Sequence, residues 1–329
     1  MTRVTIIIPC RNEEAFFEKC LRSIIENDYP KDTLEVFVVD GASEDGTPNI
    51  IQKYTKKYPF IRYLKNERKI IPAAMNVGIK NAQGEIIMKM DAHSTYQKDY
   101  ISKCVHYLIE YNADNVGGIL ITRPRGNTLQ ARAIAAALSH PFGAGSSPFR
   151  KASASKNPRE VDTVAFGCYK KNVFDRIGLY NENLTRSSDM ELNIRLKKSG
   201  GKILLIPSII GYYYPEATFK AYAKHNIQDG IWAIYPLKFT HSLLRPRHLV
   251  PLLFIMALIV SLILSFFLRL FFYVVLAIAS AYIITSFAVS FLIAVNKKDY
   301  RYFFAMPVAF AIRHIVYGIG SLWGILKLL

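Results

Sequence analysis

Residues 86–95 read IIMKMDAHST. A run that is apolar apart from Lys89 stops at Asp91, and His93 follows two positions later. A short apolar run ended by polar residues suits a strand buried on both faces. The segments on its N-terminal side repeat the theme. "PAAMNVGIKNAQ" has the spacing of a helix and "FIRYLKN" that of a strand. "TPNIIQKYTKKY" opens with Thr47 and Pro48, a helix start with Thr47 as cap. "LEVFVVD" and "VTIIIP" are β-branched strand runs on either side of the helical "EEAFFEKCLRSIIEN". Such alternation predicts an α/β fold, a mainly parallel sheet with helices on both faces. Ligands of such sheets bind beyond the carboxyl ends of the strands. Asp40 and Asp91 each close a strand at that edge.

The chain has 329 residues, enough for one large domain with an appendage or for two domains. Its formal net charge of +17 favours polyanionic partners such as nucleotide phosphates or anionic lipid heads. No helix-turn-helix, zinc-finger or RNP-like pattern is visible, so nucleic acid is not expected as a partner. Cys10, Cys20, Cys104 and Cys168 show no C-x-x-C spacing, which suits reduced, buried thiols. "VTIIIP" is too short for a signal-peptide core. The globular part is therefore expected in the cytoplasm.

Apolar residues concentrate after about residue 248. "LVPLLFIMALIVSLILSFFL", residues 249–268, carries no charge and is long enough to span a bilayer. A second span at 271–295 follows so closely that the two should form a hairpin. Lys297, Lys298 and Arg301 then outweigh Arg269 in the hairpin turn, which puts the 297–301 loop in the cytoplasm. Residues 303–328 are also long enough to cross, but Arg313 and His314 lie near their middle, where ionisable groups are costly. A third span and an in-plane or re-entrant helix both remain open. Gly318, Gly320 and Gly324 allow close helix contact in either case. Between domain and tail, aromatics including Phe219, Tyr222, Trp232 and Tyr235 alternate with Lys220, Lys224, Lys238, Arg245 and Arg247. That pattern fits an amphipathic segment at the headgroup layer, or a surface helix packed on the globular part. The expected division is 1–215 catalytic domain, 216–247 interfacial segment and 248–329 membrane domain.

"VTIIIPCRNEE", "EVFVVDGASEDGT", "NVGIKNAQGEIIMKMDAH" and "SSDMELNIRLKKSGGKI" occur in that order. Together, over roughly residues 3 to 210, they resemble the family 2 glycosyltransferases, nucleotide-sugar enzymes with the Rossmann-like GT-A fold. "SHPFGAGSSPFR", "VDTVAFGCYKK", the D-A-H and "LRPRHLVP" are similar to bacterial exopolysaccharide enzymes of the succinoglycan-biosynthesis type.

The resemblance implies roles that the residues can support. Pro9, Arg11, Asn12 and Glu13 match a nucleotide-contacting turn, although Glu13 is equally suited to a helix's first turn. Asp40, followed by "GASEDGT", matches the nucleoside-binding aspartate; its carboxylate can accept hydrogen bonds from a uracil N–H or ribose hydroxyls, and the following helix start can meet phosphate. Asp45 reads as ordinary turn chemistry. Arg68, with Lys69, stands where the family often has a basic nucleotide contact. In an extended chain Asp91 and His93 point to one side and can share a cation, Mn²⁺ or Mg²⁺, that steadies the departing diphosphate. Most of the family shows D-x-D where this chain has D-A-H, so the histidine is the weaker ligand. Asp189 matches the catalytic carboxylate that removes the acceptor's hydroxyl proton. Glu191 is read first as half of a capping box with Ser188, and otherwise as an acceptor-side residue. His140, Phe142 and Trp232 are assigned to the acceptor side.

The expected activity is therefore metal-dependent, inverting transfer of a hexose from a nucleotide diphosphate sugar, UDP-linked by preference, to a lipid-linked glycan at the inner face of the plasma membrane. "NIQDGIW" lacks the Arg-Trp pair of processive synthases. A polyprenyl-phosphate sugar synthase and a catalytically degenerate nucleotide-binding scaffold are the alternatives. No G-x-G-x-x-G follows the first strand, which argues against a dinucleotide oxidoreductase.

Overall fold

The computed structural model describes residues 1–145, 149, 157–239 and 246–328. Parts of "GAGSSPFR" and of "LRPRHLVP", Arg245 included, lie outside the described residues. In chain order the elements are β1 (Val4–Cys10), α1 (Glu14–Ile25), β2 (Leu34–Asp40), α2 (Thr47–Lys57), β3 (Ile61–Lys65), α3 (Ile71–Asn81), β4 (Ile86–Lys89) and β5 (Ser94–Tyr96). These are followed by α4 (Tyr100–Glu110), β6 (Asn115–Thr122), α5 (Leu129–Ser139), α6 (Pro141–Ala144), β7 (Arg159–Glu160), β8 (Ala165–Lys170), α7 (Asn172–Ile177), α8 (Ser188–Lys198) and β9 (Ile203–Tyr213). The C-terminal part holds α9 (Phe219–Ile234), α10 (Pro246–Ser265), α11 (Arg269–Lys297), α12 (Arg301–Ala311) and α13 (Tyr317–Leu326). Two compact units result: residues 1–121 with 148–213, and residues 122–147 with 214–329.

In the first unit the strands run β3-β2-β1-β4-β8-β6-β9-β5, with β7 on β9. The pairs β1–β2, β1–β4 and β2–β3 are parallel, as the strand–helix alternation predicts. Beyond β4 the ladder turns antiparallel, at β4–β8, β6–β8, β5–β9 and β7–β9. The sheet is therefore mixed; the motifs of the first ninety residues report only its parallel half.

Alternate residues of the central strands feed two cores. Ile6, Ile8, Val36 and Val38 pack with Phe17, Leu21 and Ile24 of α1 and Ile51 of α2. Ile7, Phe37 and Val39 pack with Ala74, Met75 and Ile79 of α3 and Leu192 and Leu196 of α8. Period-2 side chains buried on both sides explain why these strands read as continuous apolar runs. All four cysteines are free and buried.

In the second unit three helices are long and apolar enough to cross a membrane: His248–Ser265, Arg269–Lys297 and Arg301–Leu326. The first two expose large apolar side chains such as Leu253, Leu262, Leu276, Ile284 and Phe291. The third is one helical run with a π-turn at Ile312–Val316, where Arg313 and His314 sit. Both ionisable groups of this apolar run have partners. Arg313 donates to Asn226 Oδ1 (2.9 Å) and to the Gly143 carbonyl (3.3 Å), and lies 4.0 Å from Asp229. His314 lies 3.1 Å from the Tyr282 hydroxyl and 2.8 Å from the Phe142 carbonyl. The segment expected at the headgroup layer includes α9, which buries Tyr222, Asn226, Gly230 and Ile231 and leaves Lys220 and Lys224 exposed. It packs on α13 at backbone distance: a Cβ at Gly320 would lie 2.3 Å from the Ile227 carbonyl, so only glycine fits there.

Candidate active site

The site builds up at the carboxyl edge of the parallel strands. Cys10 pairs with Asp40 across β1 and β2, and the loops after both strands are bonded together. Asn12 donates its N–H to Ser43 Oγ (2.9 Å) and accepts the Glu44 N–H on Oδ1 (2.8 Å). A Cβ on Gly41 would lie 3.4 Å from Lys69 Cα and 3.5 Å from Arg11 Cβ, so the loops after β1, β2 and β3 converge. Asn12, Ala42, Lys69 and Ser187 all have left-handed backbones, with φ of 56°, 56°, 58° and 62°. Each costs about 1–2 kcal/mol for a residue with a Cβ. Strain of this kind gathers where geometry is imposed for function.

Thr47 begins α2 but does not cap it; its hydroxyl accepts the Glu13 N–H at 2.8 Å. Asp45 takes over, accepting the N–H groups of Thr47 (3.0 Å) and Glu14 (3.1 Å). Asp40 is 4% exposed, and accepts the Ser43 hydroxyl (2.5 Å) and backbone N–H (3.2 Å). Burial, with Asp40 and Glu13 adding to it, pushes the Cys10 thiol far above its ordinary pKa. Arg11 lies 3.6 Å from Glu44. Arg68 pairs with Glu182 at 2.5 Å, and Asn76 donates to the same carboxylate at 2.7 Å. These contacts, led by the Asn76 hydrogen bond, hold the Glu182 carboxyl below its usual range.

Asp91 and His93 do not stand on an extended strand. The Ser94 N–H closes on the Asp91 carbonyl at 3.2 Å, which makes 91–94 a tight turn, so the same-side geometry of an extended chain does not apply. Instead, His93 Nδ1 lies 2.9 Å from Glu13 Oε1 and its ring meets Tyr213 edge-on at 5.4 Å. Glu13 stands at the N-cap position of α1 without capping it; its carboxylate orients the imidazole. An imidazole that donates Nδ1–H to a carboxylate presents Nε2 as a lone pair, the tautomer a metal takes.

Asp189 is the second residue of α8. The N-cap of that helix is the left-handed Ser187, which makes no side-chain cap bond, and Ser188 lies one residue inside the helix rather than at the position a capping box requires. Glu191 turns the other way and grips Arg195 with both oxygens, at 2.7 and 2.9 Å, while Arg195 holds the carbonyls of residues 177–179. A charged, bidentate partner one turn on outcompetes a single N–H. Asp189 Oδ2 accepts a hydrogen bond from the Lys89 ammonium, which also lies 3.8 Å from Asp91 Oδ1. Lys89 stands opposite Ile7 in the sheet and is 7% exposed. Burial opposes its charge, but Asp189 and then Asp91 more than offset it and hold the ammonium above its usual pKa. Asp189 Oδ1 is buried with no hydrogen-bond partner among the described residues.

Thus Asp40, Glu13, His93, Asp91 and Asp189 all stand in the first unit, the last two tied by one cation. His140, Phe142 and Trp232 belong to the second unit. His140 Nδ1 accepts the Phe142 N–H (3.2 Å), Phe142 packs on Phe310 (4.8 Å) and His314 (4.9 Å), and Trp232 packs on Tyr235 (5.4 Å). The family resemblance assigns Lys89 no role, although its signal is plain: a lone ammonium in a buried strand requires a counter-charge.

The family model described as "Glycosyl transferase family 2" matches residues 5–178. The chain belongs to glycosyl transferase family 2. A dolichyl N-acetyl-alpha-D-glucosaminyl phosphate 3-beta-D-2,3-diacetamido-2,3-dideoxy-beta-D-glucuronosyltransferase of Methanococcus voltae is 30% identical over 238 residues, 70% of this chain and 72% of that protein. The succinoglycan biosynthesis protein ExoA of Rhizobium meliloti is 26% identical over 253 residues, 72% of this chain and 75% of that protein. Among solved structures, the mannosyltransferase PcManGT from Pyrobaculum calidifontis, in complex with GDP-Man and Mn²⁺, is similar with a TM-score of 0.58 and 22% identity, covering 98% of this chain and 87% of that one. The family 2 fold of this chain is thus GT-A-like, with apolar C-terminal helices as candidate spans.

Proposed function

We propose that this family 2 enzyme is a membrane-anchored inverting hexosyltransferase that moves a sugar from a nucleoside diphosphate, UDP by preference, to a lipid-linked glycan at the cytoplasmic face. The observation that carries the proposal is the Lys89 ammonium between Asp91 and Asp189. It gathers the carboxylate meant to steady the leaving diphosphate and the carboxylate meant to take a proton.

In the proposed reaction the acceptor hydroxyl meets Asp189, which accepts its proton as the oxygen bonds to the anomeric carbon. The bond from that carbon to the diphosphate breaks on the opposite side, and configuration inverts. Lys89, screened from water, holds the Asp189 carboxylate in place before the acceptor arrives. Asp40, Asn12 and Ser43 fix the loops on which the nucleoside would lie, and Arg11 and Lys69 supply positive charge beside them.

The donor set suits Mn²⁺ or Mg²⁺ held jointly with the diphosphate. Asp91 offers a hard oxygen, His93 an imidazole that Glu13 orients, and no group of three or more metal-ligating side chains forms a cage among the described residues. Such a cation would neutralise charge developing on the leaving group.

The names of relatives support a lipid-linked or polysaccharide acceptor: one is a dolichyl-phosphate glycosyltransferase, another a succinoglycan protein. The excess of Lys297, Lys298 and Arg301 over Arg269 supports a cytoplasmic catalytic unit. The test is purified full-length protein incubated with UDP- and GDP-sugars, Mn²⁺ and extracted lipid-linked saccharides, with the product's anomeric configuration read by NMR. Transfer with inversion is expected; retention of configuration, or no transfer from any donor, contradicts the proposal.

A further inference from the structure

A cavity of about 420 Å³ opens in the second unit, between α5, the last turn of α11 and the start of α12. Its charged lining is entirely cationic, from Arg132 and Lys297, with Asn296 and the Tyr302 ring beside them. Ala136 and Ile293 form an apolar wall that continues along the flank of the candidate span.

Arg132 is incompletely used. Asp299, its nearest acid, is gripped by Arg301 through two contacts of 2.9 Å, while Arg132 Nη2 stands off at 3.5 Å. The Nε of Arg132 is buried and has no hydrogen-bond partner among the described residues. A buried guanidinium donor without an acceptor has lost its hydration with nothing in exchange. An anion with several oxygens at this position would remove that cost and engage the guanidinium in a forked, charge-assisted contact. The cavity exceeds the volume of a phosphate group, and its apolar wall suits the first carbons of a chain attached to one.

We infer that this cavity is a binding site for the phosphate headgroup of a lipid, with the phosphate on Arg132 and Lys297 and the proximal tail against Ala136 and Ile293. The inference rests on the proposed cytoplasmic placement of residues 297–301 directly after the second candidate span, a position where basic pockets beside membrane helices hold anionic heads. Two sources share this chemistry: the polyprenyl phosphate of a lipid-linked acceptor, and the bulk anionic phospholipid of the bilayer.

The test is native mass spectrometry of the full chain released from nanodiscs containing phosphatidylcholine together with either phosphatidylglycerol or a polyprenyl monophosphate. Retention of the phosphate-bearing probe over phosphatidylcholine is expected, with a loss of about tenfold in Arg132→Gln, the scale of one charged hydrogen bond. Ala136→Leu, which fills the cavity and leaves the Arg132–Asp299 contact in place, should cause a similar loss and guards against misfolding of the first variant. Preference for polyprenyl phosphate over phosphatidylglycerol assigns the site to the acceptor; equal retention of the two assigns it to bulk anionic lipid. Equal retention of phosphatidylcholine, or unchanged retention in both variants, overturns the inference. Donor-sugar hydrolysis by the same wild-type preparation separates this from the proposed activity. Hydrolysis without lipid selectivity overturns the pocket alone, and lipid selectivity without hydrolysis supports the pocket while counting against the transferase.

Discussion

Lys89 and Asp189, a hundred residues apart in the chain, are joined by a direct hydrogen bond between ammonium and carboxylate. One partner is the last residue of a buried strand and the other opens a helix from the far side of the sequence. Lys89→Met would leave Asp91 and Asp189 facing each other without their shared cation. We expect about 1–3 kcal/mol of destabilisation, below the full cost of breaking a buried pair because the Asp189 side chain is 39% exposed. Loss of the cation also removes the group that orients the Asp189 carboxylate. At saturating donor and acceptor, kcat should therefore fall in Lys89→Met and be largely restored in Lys89→Arg. A kcat unchanged in Lys89→Met would deny Lys89 any part in positioning the base.

Glu13 holds the imidazole of His93. Glu13→Gln should weaken Mn²⁺ binding in the presence of UDP by about 10–100-fold, the usual effect of losing an orienting carboxylate behind a histidine ligand. With Asp91 and His93 as the proposed ligands, and no group of three or more metal-ligating side chains among the described residues, Mn²⁺ should bind weakly when no nucleotide is present. Electron paramagnetic resonance of free Mn²⁺, titrated with and without UDP, checks both statements. Wild-type affinity in Glu13→Gln would remove His93 from the metal site.

His225, on α9, lies between Glu216 and Asp229, the latter at 3.3 Å. Burial alone would depress its pKa, but Asp229 and Glu216 prevail and raise it to about 9. A raised histidine pKa stabilises the fold fully below the unfolded value near 6.5, and that contribution disappears as pH rises through the folded value. The melting temperature of the detergent-solubilised chain should fall between about pH 6.5 and pH 9, by the equivalent of roughly 2 kcal/mol. His225→Gln should flatten that slope and lower stability at the acid end. A slope unchanged in the variant would assign the effect to other groups.

These expectations divide along a line that the sequence itself explains. β1, β2 and β4 were legible because each is buried on both faces and reads as a largely apolar run. The antiparallel strands β8 and β9 were not, since "AFGCYK" and "ILLIPSIIGYY" carry no sign of the neighbours they pair with. Asp91 and Asp189 were legible as acids at element ends; what joins them was not, because Lys89 looks like a lone interruption until α8 is brought beside it. Thr47 and Ser188 show the limit of local rules. Each was expected to cap its own helix, yet each lies one residue inside it, after N-cap residues Gly46 and Ser187 that make no side-chain cap bond; the Thr47 hydroxyl is used by the Glu13 N–H and Ser187 adopts the left-handed conformation. The partners of Arg313 are likewise remote, from α9 and α6, and no spacing within the last segment announces them.

The role of Asp189 as base is tested by the steady-state transfer rate of Asp189→Asn at saturating donor and acceptor, beside the donor's dissociation constant for the same protein. With Asp189 as the base, kcat should fall by about 10²–10⁴-fold while donor affinity stays near the wild-type value. A kcat equal to that of the wild type would contradict the account.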